Sequence, residues 1–92
     1  MSEQVFDFVV ASDTRLKILT WLSQDVSTPT ELAKKIEKHL SHVSRALREL
    51  QDKELVSCVN PADTKPRVYS LTVQGATVMA EVNRYNLRTR LM

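Results

Sequence analysis

One glycine, one cysteine and three prolines are all that this 92-residue chain holds of the residues that punctuate or cross-link a fold. A loop that cradles phosphate needs several glycines, so that backbone N–H groups can approach the anion, and Gly75 stands alone. A single thiol, Cys58, excludes an intrachain disulfide and a thiolate metal cluster. His39 and His42 offer two further ligand types, but there is no Cys-x-Cys or His-x-x-x-His pair to hold an ion. No apolar run approaches the roughly 20 residues that cross a bilayer. The N-terminal stretch MSEQVFDFVV carries acids where a secretory leader carries basic residues. No Ser-His-Asp set, Cys-His set or carboxylate pair has independent support. These absences lead to the expectation of a cytoplasmic protein that is not an enzyme. No membrane partner, cofactor, metal or small-molecule effector is expected.

What is present fits one domain spanning 1–92, with 42% hydrophobic residues for a small core and 26% charged. The net charge of +2 says little, but its distribution says more. Residues 1–33 set two basic side chains against five acidic ones, whereas 34–53 set six against three and 76–92 set three against one. Positive charge therefore gathers on a central unit and on the tail. A polyanion partner follows from that placement, against the plain alternative of lysines decorating helix surfaces.

The central unit runs from Thr28 to Leu55. Thr28-Pro29-Thr30-Glu31 starts a helix: a threonine cap, proline in the first turn where its missing N–H costs nothing, and a glutamate that completes a capping box. Leu32, Ala33 and Ile36 face inward, and the helix ends near Glu37. A second helix follows to about Lys53, with its start open between His39, a poor cap, and Ser41, a good one. Val43, Ala46, Leu47 and Leu50 make its apolar stripe. Ser41, Ser44, Arg45 and Arg48 repeat the same spacing two residues earlier, and at about 100° per residue the two stripes lie on nearly opposite sides. Small hydroxyls and arginine forks without a carboxylate suit a helix laid in a DNA major groove, and equally describe a solvated surface.

On either side the chain reads as support. Val5 to Val10 is a short amphipathic helix. Ser12 or Asp13 caps the next, whose Leu16, Ile18, Leu19, Trp21 and Leu22 form an apolar arc. Val26 suits a short strand in the break before Thr28. LVSCVN and RVYSL alternate as two strands of a hairpin around the turn residues 61–66, with Lys65 and Arg67 at its tip. Thr72 caps a last helix whose apolar residues cover more than one face, and that excess implies a second copy as partner.

Helix, helix, helix, hairpin, helix is the order of a winged helix-turn-helix domain, an α+β class that is mostly α: a three-helix core, a β-hairpin wing and a C-terminal helix. TRLKILTWL, TPTELAKKI, HVSRALRELQDKELV, CVNP and VYSLTVQG resemble, in order, the blocks of archaeal and bacterial ArsR/MarR-like winged-helix regulators, over about Asp13 to Met79. The resemblance implies a homodimeric, nucleoid-associated transcriptional regulator that reads duplex DNA by sequence. The helix of about 40–53 would enter the major groove and the 60–67 wing would meet the backbone or minor groove. Carried over by position, Ser41, His42, Ser44, Arg45 and Arg48 fall on the base-contacting helix, and Lys65 and Arg67 on the wing. Thr30, Lys34 and Lys38 are added as phosphate contacts. Val5, Phe6, Val9, Val78, Val82 and Tyr85 are assigned to the dimer interface. The family usually has glycine in the turn between the two helices, after the second, and in the wing; here Glu37, Glu54 and Pro66 stand there. Either those turns differ in geometry or the chain tolerates strain. The rival reading is a winged-helix adaptor for another protein, which calls for an apolar or acidic outer face on the 41–48 helix.

Overall fold

In the computed structural model, the described residues form five helices and a two-stranded hairpin; the structure describes residues 3–60 and 64–91, and the side chains of 4–60 and 64–85. The elements are α1 (Glu3–Val10), α2 (Asp13–Leu22), α3 (Pro29–Ile36), α4 (Leu40–Asp52), β1 (Val56–Cys58), β2 (Tyr69–Leu71) and α5 (Val73–Leu91). The fold is the mostly helical winged helix-turn-helix expected. Among the described residues no helix is long and apolar enough to cross a membrane.

One core joins the layers. Ile18, Leu19 and Leu22 of α2 meet Leu32 and Ile36 of α3 and the Val43–Ala46–Leu47–Leu50 stripe of α4, all buried. Leu55 and Val56 close it from the hairpin side, and Val78, Met79 and Val82 of α5 close it together with Val9 of α1. Leu16 and Trp21, placed by sequence in the same arc, pack half-buried at its edge.

Helix starts follow side-chain chemistry. Ser12, not Asp13, caps α2: its hydroxyl accepts the Arg15 N–H at 3.3 Å. The α3 box is complete, with Thr28 Oγ1 accepting the Glu31 N–H at 3.2 Å and Glu31 Oε1 accepting the Thr28 N–H at 2.9 Å. The α4 start departs from good capping: His39 occupies the cap without a side-chain bond and Ser41 lies inside the helix. The His39 carbonyl, accepting from His42 and Val43 at 3.1 Å each, begins the helix two residues before a Ser41 cap could.

Helix ends are where strain collects. Glu37 (φ 57°) and Glu54 (φ 61°) both take the left-handed conformation that favours glycine. At each end the next N–H reaches back five residues: Lys38 to the Ala33 carbonyl at 3.1 Å, Leu55 to the Leu50 carbonyl at 2.9 Å. That closure requires a left-handed residue. The turns therefore keep the glycine geometry and carry glutamate.

The hairpin is shorter than the alternation implied. β1 and β2 pair antiparallel, with Val56 opposite Leu71, Ser57 opposite Ser70 and Cys58 opposite Tyr69. Beyond them the Val59 N–H still reaches the Val68 carbonyl at 2.8 Å, but the Val68 N–H turns to Asn60 Oδ1 at 2.9 Å. Asn60 Nδ2 also donates to the Pro66 carbonyl at 2.9 Å, so one side chain braces the root of the wing. The strand contact expected at Val26 falls one residue later: Ser27 and Tyr69 exchange N–H···O bonds of 3.1 and 2.8 Å. At the far end of β2, Thr72 Oγ1 donates to the Glu54 carbonyl at 2.7 Å and accepts the Gly75 N–H at 3.0 Å. Gly75 packs directly on the Leu55 carbonyl, with no room for a Cβ.

Candidate nucleic-acid interface

Burying the apolar stripe of α4 turns its other side to solvent. Ser41, His42, Arg45 and Arg48 are exposed there, and Ser44 is half-buried at the margin. The His39 and His42 rings meet edge to face, 5.6 Å between centroids, at the helix start. Thr30, Lys34 and Lys38 are exposed on α3 and the turn after it. Lys35 points elsewhere, its Nζ 5.1 Å from the Trp21 ring centroid on α2. Lys65 and Arg67 are exposed on the returning side of the wing, while 61–63 of the 60–67 wing segment lie outside the described residues. Beside α3, Glu31 is held below the usual carboxylate range, first by the Thr28 backbone N–H and then by the Thr28 hydroxyl, with Ser27 and Lys35 adding to them. Among the described residues no three His, Cys, Asp or Glu side chains gather as an ion would need.

A charged cluster at the flank of this face carries no signal in sequence. Arg15 of α2 donates from Nε and Nη2 to Glu49 Oε1 of α4, both at 3.2 Å. Its Nη1 donates to the Phe8 carbonyl of α1 at 2.9 Å, and the guanidinium carbon lies 3.9 Å from the Phe8 ring centroid. Glu49 stands 34 residues from Arg15, so neither spacing nor periodicity announces the pair. In contrast, Arg45 and Arg48 have neither ion-pair nor hydrogen-bond partner among the described residues.

The residues assigned to a dimer interface divide. Val9, Val78 and Val82 are buried in the chain's own core and leave little surface for a partner. All three belong to the one core that α1 and α5 share with the other elements. Val5 and Phe6 are half-buried, and Tyr85 is 62% exposed. Phe6 and Tyr85 meet edge to face at 6.3 Å, beside a groove of about 300 Å³ lined by Phe6, Val10, Leu16, Val82 and Tyr85. Val73, 82% exposed, lies at the other end of α5.

The helical core, the paired hairpin and the long last helix define a winged helix-turn-helix domain of ArsR/MarR-like type. Residues 3–91 match the HVO_A0261 N-terminal domain, and the chain belongs to that family. Among solved structures, a MarR-family transcriptional regulator from Enterococcus faecalis superposes with a TM-score of 0.84 at 19% identity, over 96% of this chain and 82% of that one. A ZitR mutant from Lactococcus lactis superposes at 0.75 with 28% identity, over 85% of this chain and 54% of that one. Another ZitR mutant, solved in complex with DNA, gives 0.71 and 28% over the same shares, 85% and 54%. The chain thus spans about half the length of these two ZitR chains. No curated protein matches it.

Proposed function

We propose that the protein is a transcriptional regulator that binds double-stranded DNA by sequence, as a homodimer. The observation that carries this reading is the free pair of arginines: Arg45 and Arg48 stand on an exposed helix face, without a partner among the described residues. Ionic groups left unpaired on an ordered face are available to an anion. The likeness to a ZitR solved with DNA supports the same ligand.

In this reading α4 enters the major groove. Arg45, and beside it Arg48, presents a fork to base edges, guanine being the commonest arginine target, with Ser41, His42 and Ser44 as further base contacts. Thr30, Lys34, Lys38, Lys65 and Arg67 contact phosphates and set register. Two copies, joined through Phe6, Tyr85 and their surroundings, read half-sites about one helical turn apart.

Fluorescence anisotropy tests it, with the DNA upstream of the protein's own gene and a scrambled duplex, each over a salt series. Salt-sensitive binding that prefers the upstream duplex is expected. Arg45→Ala is expected to cost about 1–3 kcal/mol on that duplex and much less on the scrambled one. Equal losses on both would reduce Arg45 to a phosphate contact. Absence of binding at low salt would sink the reading in favour of a protein adaptor.

A further inference from the structure

The Arg15–Glu49 pair lies at the flank of the proposed reading face, one turn along α4 from Arg45. Glu49 of α4 is four residues after Arg45 and four before Lys53, the C-cap of that helix, the spacing at which oppositely charged side chains of one helix meet. Left alone, its carboxylate would pair with one of them. Instead both Arg15 contacts converge on Glu49 Oε1 at 3.2 Å. Lys53 is placed over the Phe8 ring, 5.5 Å from its centroid, and Arg45 is left without a partner.

The competition is uneven by construction. Arg15 is itself fixed, by the Phe8 carbonyl at 2.9 Å and by the Phe8 ring at 3.9 Å. Its side chain is only 19% exposed. A guanidinium held at two other points loses little further freedom on binding a carboxylate, whereas exposed Arg45 would have to be immobilised to do so. Arg15 therefore wins Glu49.

We propose that Arg15 is a positioning residue for DNA recognition: it sequesters the Glu49 carboxylate and so keeps Arg45 uncompensated for the duplex. The inference rests on the proposed DNA reading, and goes beyond it by giving a role to a residue that touches no DNA. Without Arg15, Glu49 would turn to Arg45. The duplex would then have to break that pair and would meet an added negative charge beside its phosphates.

The test is a double-mutant cycle on the full chain, using the upstream duplex. Arg15→Met is expected to bind about two- to fivefold more weakly, the scale of one helical ion pair plus one misplaced charge. Arg15→Met combined with Glu49→Gln is expected to return to within twofold of wild type, because no carboxylate remains to capture Arg45. A double variant as weak as Arg15→Met would show that the cluster only braces the helices, and would overturn the proposal. Unchanged binding by Arg15→Met would overturn it too. Should circular dichroism show Arg15→Met unfolded, Arg15→Lys decides: it keeps a cation for Glu49 without the fork to Phe8, binding within twofold of wild type is expected, and a larger loss overturns the proposal. A readout without DNA separates the two readings. The Glu49 carboxyl carbon resonance of Arg15→Met should shift when Arg45→Gln is added. If it shifts and no variant binds any duplex, the DNA reading fails while the capture stands; if it does not shift, the capture fails.

Discussion

Glu37 and Glu54 show what a single residue costs when backbone geometry is set by its neighbours. Both sit where the preceding helix closes by a bond reaching back five residues, and both hold φ near 60° (57° and 61°). A side chain there costs roughly 1 kcal/mol relative to glycine. Glu37→Gly is accordingly expected to stabilise the protein by about 1 kcal/mol, read as a higher urea midpoint at unchanged slope. Gly75 is the opposite case. Its φ is ordinary, but a methyl group would press on the Leu55 carbonyl and come within 2.7 Å of Leu71 Cδ1. Gly75→Ala is expected to destabilise by about 1–3 kcal/mol in the same melt, since the nearest obstacle is backbone and not the end of a flexible side chain. The two glutamates were recognisable in sequence as occupants of glycine positions. That they are strained, rather than set in different turns, was not, because the choice depends on hydrogen bonds that only the folded chain closes.

Among the elements, α3 was legible to its cap and α4 was not. Thr28-Pro29-Thr30-Glu31 is a local motif whose hydrogen bonds join residues three apart, so its letters suffice. The start of α4 lacks such a motif and is placed by burial of Val43 and by the His39 carbonyl. The exposed stripe of α4 was legible from period alone, while the partner of Glu49 was not, since it belongs to another helix. The capping box carries a pH dependence. Glu31 is lowered from an ordinary 4.5, mainly by the Thr28 N–H, so its contribution is present above about pH 4.5 and is lost as pH falls through the lowered folded value. Wild type is therefore expected to be more stable than Glu31→Gln at neutral pH, with the gap closing in acid, as urea melts from pH 7 to 3 would record.

At the scale of the molecule, an excess of apolar residues in the terminal helices was visible in sequence, but not which of them one chain keeps for itself. Val9, Val78 and Val82 go to the core; Tyr85 and Val73 stay outside, with Phe6 half-covered. If the Phe6–Tyr85 edge is the centre of a dimer contact, Tyr85→Glu is expected to weaken dimerisation at least about tenfold in sedimentation equilibrium, with little loss of monomer stability because the ring is 62% exposed. A dissociation constant unchanged by the substitution would move the contact elsewhere. The exchange of bonds between Ser27 and Tyr69 has a mechanical side. It fastens the root of the wing to the residue just before α3, and Thr72 fastens the other end of β2 to the close of α4. On the proposed DNA reading, the wing and α4 would be the two jaws of a caliper whose gauge is set by these bonds. Such a tool would measure rather than mould: it would admit the groove spacing of B-form DNA and refuse an A-form helix, whose major groove is deep and narrow, whatever sequence that helix carries.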